Sequence, residues 1–227
     1  LGVALPGWVI KMGRRGGFGS GLAERFGSYR REIEFEPCGA IHVHAVSVGE
    51  AILALKLIDA WQARNPEHRF VLAVATATGH EIARGRESGR LRVVYQPVDL
   101  GTCVRAYLDR FEPSRLLLVE GEMWPNLMVE CERRGISVDL VNARMSPRSR
   151  RRYQRLSGWV RPVFSRLGRV ALQEEEDKEI WQQLGVEPER VRVVGSLKFD
   201  PGDGPAPRER PDFAGMLDAC RGGKRVV

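Results

Sequence analysis

Cysteine is scarce: the 227 residues hold four, Cys38, Cys103, Cys131 and Cys220, far apart and never in CxxC spacing. A thiolate zinc site or a redox pair needs that spacing and a small secreted scaffold needs many bridges, so neither is implied and a reducing cytosol fits best. Histidine is equally rare. His42 and His44 share one face of the run "AIHVHAV", but no other His or Cys lies close enough in sequence to complete a ligand set, so packing is their expected role and no metal is expected. No stretch of about eighteen apolar residues occurs, so nothing reads as a membrane-spanning helix. Acid is short of base, 29 residues against 36, and the net charge of +7 favours an anionic partner such as phosphate, nucleic acid or a lipid surface. Internal repeats and low-complexity tracts are missing too.

The chain opens without methionine, on "LGVALPGWVIKMGRRGG". Apolar residues followed by Lys11, Arg14 and Arg15 fit the tail of a membrane-associated segment with a basic flank, and fit an ordinary buried or frayed terminus equally well.

From residue 40 onward, short apolar runs alternate with helical patterns, which is the signature of βα units on a mostly parallel sheet. The strands are expected at 40–46, 69–75, 91–95, 115–120, 136–141, 169–172 and 191–195. Helical patterns run through "AILALKLIDAWQARN", where Leu53, Leu57, Ile58 and Trp61 share a face, and through "HEIARGRE", "CVRAYLDRF", "PNLMVECERR", "GWVRPVFSRL" and "EEEDKEIWQQL". Pro125 suits a first helical turn. After Asp200 the texture changes to "PGDGPAPRERPDF", which reads as a linker, and "KRVV" resembles the opening strand of another domain. The expected organisation is a basic, membrane-proximal segment over 1–39, a Rossmann-like domain over 40–200, a linker over 201–213 and the start of a truncated second domain over 214–227.

Parallel strands deliver their carboxyl ends to one rim, where ligands of open α/β sheets bind. Polar residues gather at those ends: Ser47, Gly49 and Glu50 after the first strand, Thr76 to Gly79 after the second, Glu120, Glu122, Trp124 and Asn126 in "EGEMWPN", Asn142 and Arg144 in "NARMS", Ser196 and Lys198 in "GSLKFD". Glu50 has two readings. Ser47 is a good N-cap and an acid in the first turn suits the helix dipole; alternatively, the carboxylate is a base facing the crevice. Glu120 and Glu122, two apart, would repel if both were buried, so at least one should meet a cation or a hydroxyl, with Lys198 a candidate. "EEED" (174–177) reads as acids at a solvated helix start. "SPRSRRRYQR" carries five arginines around Tyr153, a pattern that grips phosphate, but no recognition helix, zinc finger or RNA-binding signature accompanies it, so nucleic acid is not expected.

"HAVSVGEAILA", "EGEMWPNLMVE", "VNARMSPRSRRRY", "ALQEEEDKEIWQQLGV" and "VVGSLKFD", in this order and spacing, resemble the 3-deoxy-D-manno-octulosonic acid (Kdo) transferases of lipopolysaccharide assembly. "LAERFGSYR" (22–30) is similar to that family's juxtamembrane region. The resemblance spans about residues 22–200. It implies an α/β fold, the Rossmann-like N-terminal domain of a GT-B glycosyltransferase, with donor-binding segments beyond residue 227, so that the chain alone lacks most donor contacts. It further implies an inverting, metal-independent transfer of Kdo from CMP-Kdo to a lipid A precursor, without a cofactor, at the cytoplasmic face of the bacterial inner membrane. Glu50 falls on the family's general base; Glu120 and Lys198 fall on residues that support the transition state. Ser47, Gly49, Glu122, Trp124, Asn142, Arg144 and Ser196 are the expected substrate-binding residues. Lys11, Arg14, Arg15, Arg150, Arg151 and Arg152 are the expected contacts to phosphate or to an anionic membrane. Two rivals carry the same charge and rim: another GT-B transferase with a nucleotide-sugar donor, and a non-catalytic basic module that binds anionic lipid.

Overall fold

The computed structural model describes residues 21–30, 37–121 and 123–198. Seven strands, β1 (Ile41–Ala45), β2 (Phe70–Val74), β3 (Leu91–Tyr95), β4 (Arg115–Val119), β5 (Ser137–Ala143), β6 (Val170–Leu172) and β7 (Val191–Val193), form one sheet in the order β3-β2-β1-β4-β5-β6-β7. Every pairing is parallel. All seven expected strands are present. Their near-continuous Val, Leu and Ala content reflects burial on both faces, as parallel sheets require.

The helices are α1 (Leu22–Arg25), α2 (Val48–Arg64), α3 (Ala77–Arg84), α4 (Gly101–Phe111), α5 (Pro125–Arg133), α6 (Pro147–Arg155), α7 (Ser157–Phe164) and α8 (Lys178–Gln183). Successive strand residues face opposite sides, so Leu117 and Val119 pack in one core with Val43, Leu72 and α2's Leu53, Leu55 and Ile58. Leu116 and Leu118 pack in the other with Val71, Tyr107, Leu127, Phe164 and Trp181. Burying each such side chain is worth about 1.5–3 kcal/mol. Helices on both faces make the sheet doubly wound.

His42 and His44 point into the second core, 0% and 2% exposed, where both ring edges meet the Tyr107 hydroxyl: His42 Nδ1 bonds it and His44 Nε2 lies 3.1 Å away. Packing is the role the structure gives them. Burial alone drives the His44 pKa down to about 3, and burial followed by its neighbour His44 holds His42 well below the ordinary imidazole range.

Segment 21–30 docks on β3. The Tyr95 N–H donates to Glu24 Oε2 at 2.7 Å, the Tyr29 hydroxyl donates to the Tyr95 carbonyl at 3.1 Å, and the buried Arg25 guanidinium lies 4.3 Å from the Tyr95 ring centroid. His80 stacks on the same ring at 3.8 Å. A Cβ on Gly21, at φ 76°, would lie 1.9 Å from that ring, so only glycine fits there. The edge strand is thereby covered, which protects it from adventitious pairing. Among the described residues no helix is long and apolar enough to cross a membrane. The sheet unit closes at Leu197, and Lys198 opens a second unit.

Candidate functional site

β1 and β4 are neighbours in the sheet although two strands separate them in sequence, so the winding direction reverses between them. Crossovers leave this point in opposite directions, which opens a crevice at the carboxyl ends of the two strands. The register His44↔Leu118 carries Ser47–Glu50 and Glu120 to that same edge.

Glu50 lies in the first turn of α2. Ser47 caps the helix: its Oγ accepts the Glu50 N–H at 3.2 Å and donates to Glu50 Oε1 at 2.9 Å. The Val46 N–H donates to Glu50 Oε2 at 2.9 Å. This is a variant of the capping box in which the carboxylate turns back over its own turn and accepts the N–H of the residue before the cap, and Glu50 is only 8% exposed. Gly49 beside it is exposed.

α3 begins against α2. Thr76 caps it by accepting the Gly79 N–H at 3.3 Å, and a Cβ on Gly79 would stand 2.8 Å from Thr76 Oγ1 and 3.5 Å from the Ser47 carbonyl. The missing side chain leaves room for the Thr76 cap, and the N-termini of α2 and α3 both open at the rim, where they favour negative charge.

Glu120 and Asn142 are in left-handed backbone conformations, φ 68° and 54°. Such conformations cost about 1–3 kcal/mol and cluster where a scaffold must aim a side chain. Their backbones interlock: the Glu120 N–H donates to the Val141 carbonyl and the Arg144 N–H to the Glu120 carbonyl. Arg144 supplies the cation that Glu120 was expected to meet. Its Nε and Nη2 donate to Glu120 Oε2 at 3.2 and 2.9 Å, with Glu120 16% exposed and Arg144 56%. Glu122 lies outside the described residues. Trp124 caps α5 without a side-chain bond and packs, half-buried, against the core.

Asn142 holds the strand-end loop that leads to Lys198. Its Oδ1 accepts the Leu197 N–H at 3.0 Å while Lys56 Nζ, on α2, donates to the Leu197 carbonyl at 2.9 Å. The peptide groups flanking Leu197 are therefore gripped from β5 and from the helix that carries Glu50. Ser196 is half-buried and Lys198 exposed.

Three residues with site consequences escaped the sequence pattern. Lys56 is one. Asp99 caps α5 rather than its own following helix, accepting the Asn126 and Leu127 N–H groups at 3.0 and 2.9 Å, and burial raises its pKa. Asp177, expected at a solvated helix start, instead accepts the Met145 N–H at 3.1 Å and pairs with Arg150 at 2.7 Å. Arg150 is thus turned toward the body of the domain, unlike Arg151 and Arg152, which are exposed. Lys11, Arg14 and Arg15 lie outside the described residues.

The model of the 3-deoxy-D-manno-octulosonic-acid transferase (kdotransferase) family matches residues 20–201. A Bordetella pertussis 3-deoxy-D-manno-octulosonic acid transferase is 34% identical over 202 residues, 85% of this chain and 46% of the relative. Its Chlamydophila psittaci counterpart is 33% identical over 199 residues, 86% and 45%, and the Haemophilus influenzae one 30% over 179 residues, 79% and 42%. The chain spans less than half the length of these relatives. Among solved structures, UDP-GlcNAc 2-epimerase from Neisseria meningitidis aligns with TM-score 0.51 at 14% identity, over 71% of this chain and 48% of the other. A Listeria monocytogenes putative UDP-N-acetylglucosamine 2-epimerase aligns with TM-score 0.52 at 11% identity, over 80% and 51%, and these likenesses speak for the fold alone. On the family match, over the very residues that build the rim, the chain belongs to the 3-deoxy-D-manno-octulosonic-acid transferase family.

Proposed function

We infer that this chain is the acceptor-side domain of an inverting glycosyltransferase that moves Kdo from CMP-Kdo to a lipid A precursor, with Glu50 as general base. The observation that carries the reading is the placement of Glu50 and Glu120 after neighbouring strands at the reversal point of the sheet, in a chain of this family. An acceptor hydroxyl is a weak nucleophile until a carboxylate within about 3 Å takes its proton, a contribution of order 10²–10⁴ in rate. In the step, the acceptor oxygen bonds to the anomeric carbon of Kdo, the bond from that carbon to the phosphate oxygen breaks, and CMP leaves with the electron pair. The acceptor proton passes to Glu50. A single displacement inverts the centre and requires neither a covalent sugar intermediate nor a metal.

The Val46 N–H and Ser47 hydroxyl fix the orientation of the Glu50 carboxylate. Glu120 orients Arg144, whose exposed guanidinium suits the Kdo carboxylate or the leaving phosphate, and Lys198 adds a second cation. Ser47, Gly49, Trp124 and Ser196 line the substrate's approach, and Asn142 acts through the loop it holds. A lipid acceptor places the work at a membrane surface, the cytoplasmic leaflet.

The test is incubation of the protein, expressed with whatever coding sequence flanks residues 1–227, with CMP-Kdo and a lipid A precursor. A lipid product heavier by one or more Kdo residues supports the reading. CMP release only with another acceptor would contradict it, and so would no turnover of any sugar nucleotide.

A further inference from the structure

α6 carries four arginines on one face. At about 100° per residue, Arg148, Arg151, Arg152 and Arg155 fall within an arc of about 100°, while Arg150 and Tyr153 fall opposite. The contacts agree with the wheel. Arg150 pairs with Asp177 at 2.7 Å, and the Tyr153 ring packs edge-on to the buried Phe164 at 5.2 Å. None of the other four arginines has a carboxylate partner among the described residues; Arg152 lies over the Tyr153 ring at 4.9 Å. No residue of α6 is buried. An ordinary solvated helix balances such charge with acids three or four positions away, and α6 has none.

The chain then leaves α6 through Leu156, 46% exposed, and enters α7, where Trp159 is 85% exposed. Val160 and Val163 of α7 pack inward. Two large apolar side chains therefore stand in water next to the arginine face, although the domain has buried cores that could have taken them.

We propose that the Arg148, Arg151, Arg152 and Arg155 face, together with Leu156 and Trp159, is a docking surface for an anionic lipid bilayer. The arginines meet the headgroup phosphates, and Leu156 and Trp159 enter the interfacial layer, which favours indole rings and aliphatic groups beside cations. The aliphatic Leu156 separates this surface from a nucleic-acid site, because a phosphodiester backbone offers it nothing to bury against. Ser146, the N-cap of α6, lies three residues beyond the end of β5, so the surface starts at the rim that holds the candidate site. The proposal rests on the lipid-acceptor reading for its biological sense, but docking is measured without turnover.

The experiment is cosedimentation of the protein, expressed with whatever coding sequence flanks residues 1–227, with phosphatidylcholine vesicles, with and without phosphatidylglycerol. Binding is expected only with the anionic lipid and is expected to weaken as salt rises. Arg151→Ser with Arg155→Ser should lower the partition coefficient roughly 30-fold, about fivefold per arginine. Arg169→Ser with Arg192→Ser, which removes equal charge from exposed positions elsewhere, should lower it far less. Trp159→Ala should weaken binding and abolish quenching of the protein's fluorescence by brominated lipid. Equal partition of the two double variants would overturn the proposal, as would binding to neutral vesicles at the same strength. Arginine-dependent binding of an oligonucleotide without vesicle binding would make the surface a nucleic-acid site instead. Failure of Kdo transfer with vesicle docking intact would remove the enzymatic reading alone.

Discussion

Lowering the pH from 8 to 5 should destabilise the domain through its buried histidines, His42 and His44 above all. In the folded chain His44 titrates at about 3, and His42 lies well below its ordinary range, because both rings are sealed against Tyr107. The unfolded chain titrates near 6.5. Between these values the unfolded state binds protons that the folded state refuses, so stability is full above about pH 6.5 and falls as the pH drops toward 3. For His44 alone the loss at pH 5 is about 2 kcal/mol, and His42 adds with the same sign, as does His80, whose pKa burial and then the nearby Arg84 lower to about 4. Most carboxylates remain ionised at pH 5, so the histidines dominate that window. Urea unfolding at intervals between pH 8 and pH 5 measures the slope directly. His44→Gln should flatten it by about one proton per molecule, whatever the variant does to absolute stability. An unchanged slope in that variant, or a wild-type stability constant down to pH 5, would refute the sealed-imidazole argument.

Asn142→Ala should destabilise more than Asn142→Gly, by about 1 kcal/mol, because both lose the Leu197 contact but only alanine must hold φ 54°; the reverse order of melting temperatures would remove the strain argument. Lys56→Met should speed hydrogen exchange at residues 194–197 while leaving β1 protected, and unaltered exchange would show that the grip on the Leu197 carbonyl is idle. Asp99→Ala should cost about 1–2 kcal/mol by uncapping α5, read as a melting temperature lower by roughly 2–8 °C; a drop under 1 °C would contradict the capping role.

The sheet was legible because burial on both faces writes each strand as an apolar run bounded by turn residues, and all seven strands fall where such runs occur. The α2 start at Val48 agrees with Ser47 as its N-cap, whereas α3 begins at Ala77 rather than His80, because Thr76 caps a turn that contains little apolar signal. α6 was invisible as a helix. None of its residues is fully buried, so little apolar periodicity marks it, and what secures it is a Ser146 cap, the Tyr153 ring against Phe164 and a long-range ion pair from Arg150. The candidate site divides along the same line. Strand ends follow from strands, so Glu50, Glu120, Asn142 and Ser196 were recoverable. Partners distant in sequence were not: Arg144 for Glu120, Lys56 for Leu197, Asp177 for Arg150. Each joins groups from different βα units, and nothing local in the chain records the meeting. Glu50 keeps both of its readings in one geometry, since the carboxylate that closes the capping box is also the acid at the reversal point.

The most direct measurement compares two variants of the full-length protein, Glu50→Gln and Ser47→Ala, for single-turnover Kdo transfer and for melting temperature. A glutamine keeps the shape of the side chain and an acceptor for the Val46 N–H, its amide turning to donate to Ser47 Oγ, and forfeits the charge at the helix N-terminus, about 0.3–1 kcal/mol, whereas Ser47→Ala removes the cap oxygen itself, about 1 kcal/mol or more. A catalytic Glu50 predicts a rate loss of about 10²–10⁴ in Glu50→Gln with little change in melting temperature, and at most a roughly tenfold loss in the less stable Ser47→Ala. Transfer at the wild-type rate by Glu50→Gln, or rate losses in the two variants that merely follow their stabilities, would reduce Glu50 to a helix cap.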